Sequence, residues 1–204
     1  MPAGEQQAWR ILAGLGPDDV CARTDAAFDS SSGLHILRSF GQDIFISLED
    51  RTVFGHTPTA DLLLDKLSRY SRLPILWYLI GACQAPLSGQ MVRPDSLSGG
   101  QIYIKGTHRL PLDSIAEKYG GDVKGFMSRG QELGCEQLGY GDASVRLFPF
   151  PRVAVTLLLS KGDGEFHSRV DLLLDSTCEL HLPADIIWST AMVCALVMLQ
   201  QSVS

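Results

Sequence analysis

Apolar residues recur along this chain with two periods, and the places where the period changes mark its elements. From Pro2 to Leu15, Trp9, Leu12 and Ala13 share one helical face with Gln6 and Arg10 opposite; Gly16-Pro17 closes this helix and opens a short second one. At Ala26 the period shortens toward two. Ala27-Phe28-Asp29, Leu34 to Arg38 and Ile44 to Leu48 are separated by Ser31-Ser32-Gly33 and Phe40-Gly41-Gln42, the spacing of an antiparallel meander with tight turns, and His35 sits inside one strand. Thr57-Pro58 caps a helix over Leu62-Leu63-Leu64 and Leu67, and Pro74 opens a second, strongly apolar one through Ile80 that is central to the core.

A loop-rich middle follows, then two short helices, Pro111 to Tyr119 and Asp122 to Leu133, stopped by Gly134. The last third returns to strands. Val145 to Phe148, Val153 to Leu159 and Phe166 to Leu174 are joined across Lys161-Gly162-Asp163-Gly164, a hairpin signal, and Val153 to Leu159, apolar on both faces, predicts an interior strand. Pro183-Ala184-Asp185 starts a terminal helix. Its spacing of three and four gathers Trp188, Met192, Ala195, Leu196 and Leu199 into a stripe expected to be buried, widened by Val193 and Val197. Strands and helices in blocks predict an α+β fold: an antiparallel sheet, from an N-terminal meander and a C-terminal hairpin, packed with a helical middle and a buried C-terminal helix.

Composition narrows the functional classes. At 204 residues the chain suits one domain, large enough to bury roughly 70% of its extended surface. Five scattered cysteines without a Cys-x-x-Cys pair argue against a disulfide framework or a thiolate metal knuckle and for a reducing, cytoplasmic setting. Glu5 and Arg10 around an amphipathic start are not a signal peptide, so export is not expected. The apolar run from Ile186 to Leu199 spans about 14 residues against the roughly 20 that cross a bilayer, so it reads as a core helix and no membrane partner is expected. The net charge of −6, with 17 Lys and Arg against 23 Asp and Glu and no basic cluster, speaks against nucleic acid.

The middle of the chain holds the candidate chemistry. Between Ala85 and Pro151, glycine and proline fix special backbone angles at Ala85-Pro86-Leu87-Ser88-Gly89, Gly99-Gly100, Gly106-Thr107-His108-Arg109-Leu110-Pro111, Tyr140-Gly141-Asp142-Ala143 and Phe148-Pro149-Phe150-Pro151. Gly99-Gly100 ahead of Lys105-Gly106-Thr107 does not make a phosphate loop, which needs Gly-Lys-Ser/Thr before a helix. His108, on a constrained turn before a helix, suits a ligand, a general base or a ring that pins its loop. Asp175-Ser176-Thr177-Cys178-Glu179-Leu180-His181 packs a nucleophile set into seven residues, but triads are assembled by folds rather than by adjacency, and Asp175 and Ser176 read as turn or cap residues. The five histidines (His35, His56, His108, His167, His181) include no chelating spacing, so no protein-held metal is expected.

These words, in this order, together with Phe-Pro-x-Pro-Arg-Val-x-Val-Thr over residues 148–156 and Leu-Leu-Asp-Ser over 173–176, resemble the family catalogued as domain of unknown function 3786, of anaerobic bacteria and archaea. The resemblance runs from about Trp9 to the C-terminus and is strongest from Ala85 to Pro183. Some members look as if they bear an added four-cysteine segment similar to that of corrinoid iron–sulfur proteins, which implies a setting in anaerobic corrinoid or one-carbon metabolism. This chain lacks those cysteines, so the resemblance implies no cluster of its own.

The expectation that results is a non-enzymatic accessory protein that binds a small-molecule cofactor, of unknown identity, or a partner protein. Its site is expected where the Gly99 to Pro111 loop meets the Tyr140 to Asp142 turn. His108, Tyr103 and Tyr140 form the wall, Asp142 lies beside them, and Gly99, Gly100 and Gly106 permit close backbone approach. The rival readings are a small hydrolase or transferase using His108 with Asp142 or Asp175, and a purely structural subunit.

Overall fold

The computed structural model describes residues 3–98, 109–163 and 165–200. Helix α1 (Ala3–Leu12) buries Ala8, Trp9 and Leu12; its enclosed Glu5 accepts a hydrogen bond from Trp9 Nε1 at 3.4 Å and lies 3.7 Å from Arg72 Nε. Pro17 sits in the first turn of α2 (Pro17–Thr24), where its missing N–H leaves no bond unmade.

The expected meander follows as β1 (Ala27–Asp29), β2 (Leu34–Ser39), β3 (Gln42–Ser47) and a fourth strand, β4 (Thr52–Phe54), paired in chain order. β2 buries His35, Leu37 and Ser39 and turns Arg38 outward. Its turn to β3 is two residues, Phe40 and Gly41, at φ 48° and 72°, the left-handed pair that matches strand twist in a tight hairpin.

Thr57 Oγ1 caps α3 (Pro58–Asp61) by accepting from the Ala60 amide, and the chain passes through a π-helical turn at Leu62–Lys66 into α4 (Ser68–Gly81). Pro74 therefore does not open the second helix; it lies inside it. The helix starts six residues earlier, where the apolar pattern is interrupted by Ser68, Arg69 and Arg72, and packing of Ser71, Ile75, Leu76, Tyr78 and Leu79 outweighs the bond that proline cannot give.

The second sheet has the order β5-β9-β8-β7-β6, all antiparallel: β5 (Met91–Val92), β6 (Glu136–Leu138), β7 (Ala143–Phe150), β8 (Val153–Ser160) and β9 (Arg169–Asp175). β8 is interior, as its double apolar face predicts, and buries Val153 through Leu157 and Leu159. β9 begins at Arg169 rather than Phe166, because Asp163 Oδ1 accepts the Glu165 and Phe166 amides and keeps them in the turn, leaving Phe166 70% exposed. The expected helix pair is α5 (Leu112–Tyr119) and α6 (Val123–Glu132), the latter capped by Asp122 and stopped by Gly134 at φ 66°.

Short α7 (Cys178–His181) leads into α8 (Ala184–Leu199), enclosed almost all round by α4, α5, α6 and β7. The stripe expected from its sequence is only partly enclosed. Met192 and Ala195 are buried with Val193 and Val197, but Trp188, Leu196 and Leu199 lie on the half-exposed side. A helix with apolar residues on every side offers no polar face from which to orient it. Its last carbonyls are capped from other elements: Val197 by Arg129 Nε at 2.9 Å, Met198 by Tyr119 Oη at 2.6 Å, Leu199 by Lys118 Nζ at 2.9 Å. Arg23 does the same for α4 at Leu79, Ile80 and Ala82. Residues of both sheets and of these helices share one apolar core. Among the described residues no helix is long and apolar enough to cross a membrane.

Candidate functional site

The glycine- and proline-rich words act, wherever they are described, as joints. Asp175, at the end of β9, accepts five hydrogen bonds: from the Ser88 amide and hydroxyl at 3.1 and 2.9 Å, the Gly89 amide at 2.8 Å, and the Thr177 amide and hydroxyl at 3.0 and 2.7 Å. It staples the Ala85 to Gly89 word to the turn before α7. Burial alone raises the pKa of this carboxyl, but the Thr177 and Ser88 bonds overcome it and hold the value down at about 2. A carboxylate so saturated is an anchor rather than a proton acceptor.

The Phe148 to Pro151 word is a second joint. The β7–β8 register shifts between Leu147 and Phe150, and the Phe148 carbonyl accepts the Phe40 amide at 2.9 Å, tying the first sheet's hairpin to the second sheet. Phe150 stacks on Tyr78 with centroids 4.6 Å apart, and Tyr78 Oη bridges by donating to the Thr24 carbonyl and accepting the Arg152 amide. Burial raises the Tyr78 pKa, so the phenol stays a donor.

Tyr140 and Asp142 stand at a third joint. Tyr140 is 53% exposed, and its amide donates to Ser144 Oγ at 3.0 Å. Asp142 accepts the Lys161 amide at 2.8 Å and lies 3.7 Å from Lys161 Nζ, while its own amide donates to the Leu159 carbonyl. Between them Gly141, at φ 60°, lies so close to the neighbouring strand that a Cβ there would stand 2.8 Å from Leu158 Cδ1. Gly99, Gly100, Tyr103, Gly106 and His108 lie outside the described residues.

Leu158 connects this turn to a groove of about 510 Å³. Three arginines, Arg93, Arg109 and Arg169, line it together with Asp95, Asp113 and Asp171. Leu110 and Leu112, at the entrance to α5, join Leu158 and Leu173 as its apolar lining. Two of the charge pairs close on themselves, Arg169 with Asp171 at 3.0 Å and Arg93 with Asp95 at 3.4 Å. Among the described residues neither Arg109 nor Asp113 has an ion-pair partner. A second groove of about 520 Å³ lies between the β2–β3 hairpin and the end of α6. Two charged residues of its lining are already engaged, Arg38 with Asp43 and Glu132 with Arg129, and it holds the Gly41–Gly134 backbone contact.

The volume of the first groove falls in the range of small-molecule sites, and its lining combines aliphatic contact with separated charges of both signs. Of the residues predicted from sequence, Tyr140 and Asp142 are not in the lining of this groove, and both make structural bonds through backbone and carboxylate. Of the groove residues, Arg109 and Leu110 lie in the Gly106 to Pro111 word expected to form the site, and the others were marked by no motif. The available signal was the alternation Arg169-Val170-Asp171-Leu172-Leu173, which places charge on the outward face of a strand whose other face is core.

The family model described as Domain of unknown function (DUF3786) matches residues 16–196, most of the chain. No curated protein and no solved structure matches it.

Proposed function

This chain belongs to the DUF3786 family, and from that premise we propose that it is a non-enzymatic binding protein that takes a small anionic or zwitterionic molecule into the groove between Arg109, Asp113 and β9. The observation that carries this reading is the pairing of an aliphatic floor at Leu158, Leu110 and Leu112 with a guanidinium and a carboxylate that have no described ion-pair partner. Arg109 supplies fixed charge and fork-like donors suited to a carboxylate or phosphate; Asp113 suits an amine or hydroxyl of the same molecule. The two carboxylates weighed for catalysis are both committed: Asp175 to five donors and Asp142 to the Lys161 amide. This supports binding over hydrolysis.

The accessory role in anaerobic cofactor metabolism, of corrinoid or one-carbon type, belongs to the same proposal and sets the first ligands to test. Protein purified without oxygen is examined by native mass spectrometry and absorbance, then by thermal shift against corrinoids, small carboxylates and phosphate esters. A ligand at a hundredfold excess over its Kd adds about 2.7 kcal/mol, which for a chain of this size raises Tm by about 5–10 °C. Arg109→Ala and Asp113→Asn are expected to abolish the shift without lowering the ligand-free Tm appreciably. A shift that survives both variants, or none across the panel, defeats the groove as the site; co-purification of a protein instead redirects the reading to a partner.

A further inference from the structure

A second chemical grouping lies apart from the groove, at the end of α4. Cys83 Sγ stands 3.9 Å from His181 Nδ1, although the two are 98 residues apart in sequence. His181 is 1% exposed, and its Nε2 has no hydrogen-bond partner among the described residues, so the imidazole is enclosed with the thiol as its one described partner. Cys83 itself is half-buried rather than enclosed. Both backbone segments are held. Arg23 donates to the Ala82 carbonyl at 2.7 Å, next to Cys83, and the Asp175 staple binds Ser88 and Gly89 on one side and Thr177, which precedes α7, on the other.

We propose that Cys83, with His181 as its proton partner, is a thiol–disulfide exchange site for small disulfides. As Sγ attacks one sulfur of R–S–S–R, Nδ1 accepts the thiol proton. A Cys83–S–S–R bond forms, the original S–S bond breaks, and the departing R–S⁻ takes the proton from His181 and leaves as R–SH. No electrons are gained or lost overall, and His181 ends as it began.

Two features of the surroundings support this division of labour. Burial first, and the Arg152 guanidinium second, push the His181 pKa down against the weaker opposing pull of Asp175, so the ring rests neutral and any proton it takes from the thiol is held only briefly before passing to the departing thiolate. The other four thiols are poorly placed: burial raises the pKa of Cys21, of Cys135, of Cys178 to about 12, and of Cys194 well above its ordinary value.

The test uses 5,5′-dithiobis(2-nitrobenzoate), a small disulfide whose released thiolate is coloured, on the intact folded chain, with peptide mass mapping of the modified cysteine. One thiol per chain is expected to react at least about tenfold faster than the others, and to map to Cys83. Cys83→Ser removes the fast phase. His181→Asn slows it by about tenfold or more while Cys21 and Cys135 in the same molecule keep their rates, which a general loosening of the fold would not do. Fast labelling at Cys21 or Cys135, or an unchanged Cys83 rate in folded His181→Asn, overturns the proposal. Should His181→Asn fail to fold, the wild-type rate profile against pH decides. Cys83 must show a second inflection that Cys21 in the same sample lacks, and its absence overturns the pairing.

Discussion

The two sheets enclose polar groups by opposite means. In the first, His35 is fully buried in β2 with both ring nitrogens unpartnered, tilted against the Phe28 ring at 4.9 Å and opposite Ile46 on β3. In the second, buried Asp175 accepts five bonds. The difference follows from topology. The meander pairs each strand with its neighbour in sequence, so a polar side chain inside it meets mostly local apolar residues. The second sheet gathers strands from residues 91–175, and its end receives donors from a loop 86 and 87 residues away. A locally built sheet tolerates its buried imidazole as a neutral group, whereas the sheet built from distant segments uses its buried charge as a clamp.

The strongest way to break this comparison is Asp175→Ala. It strands the Ser88, Gly89 and Thr177 donors at once and is expected to cost about 3–5 kcal/mol in denaturant unfolding; a loss under about 1 kcal/mol means that the clamp is not holding. Next comes the joint between the sheets. Gly41, at φ 72°, faces Gly134 so closely that a Cβ would lie 3.1 Å from the Gly134 Cα, so Gly41→Ala is expected to cost about 1–3 kcal/mol. Separate unfolding transitions for the two sheets in that variant would show that the joint couples them.

Acid sharpens the contrast further. Burial lowers the His35 pKa, so the stability tied to its neutral ring is complete above the unfolded value of about 6.5 and is lost as pH falls below it. Asp175 sits at about 2 when folded, so its contribution is complete above the unfolded value of about 3.9 and is lost only as pH falls from there toward 2. Acid unfolding should therefore show an early loss between about pH 7 and 5, shared with buried His181, whose pKa is lowered in the same direction, and His35→Phe should remove the His35 part while changing neutral-pH stability by about 1 kcal/mol or less. An identical pH dependence in His35→Phe assigns the early loss elsewhere. Smallest of all, Leu196→Ala, on the half-exposed side of α8 and outside both sheets, is expected to cost about 1 kcal/mol rather than the 2–5 kcal/mol of an enclosed leucine; thermal unfolding against wild type sets this baseline.

What was legible in the sequence was what local chemistry decides. Gly16-Pro17, Thr57-Pro58, and Asp122 with Gly134 each mark a boundary where a cap or turn sets the backbone, and each boundary is found there; Asp163 marks a turn that is found, though its bonds hold the next strand back to Arg169. The α+β class followed from the block order of elements. β4, β5 and β6, of three, two and three residues, carry no period of their own; their pairing comes from partners already in place. Pro74 misled because helix packing overrode a local preference. The candidate site was legible least. Asp175 looked like a cap residue, and only the fold shows that it binds a loop from the middle of the chain. Cys83 had no neighbour in sequence that announced His181.

The near-complete enclosure of α8 also bears on how the chain is made. Its binding slot is lined by α4, α5, α6 and β7, all synthesised earlier, so those surfaces lack their covering helix at least until translation has passed Leu199. At roughly 5–20 residues per second, the interval between finishing β9 and finishing α8 is on the order of one to five seconds. For that time the nascent protein displays an apolar trough in need of a helix, the kind of surface that chaperones hold and that neighbouring chains on a polysome fill by mistake.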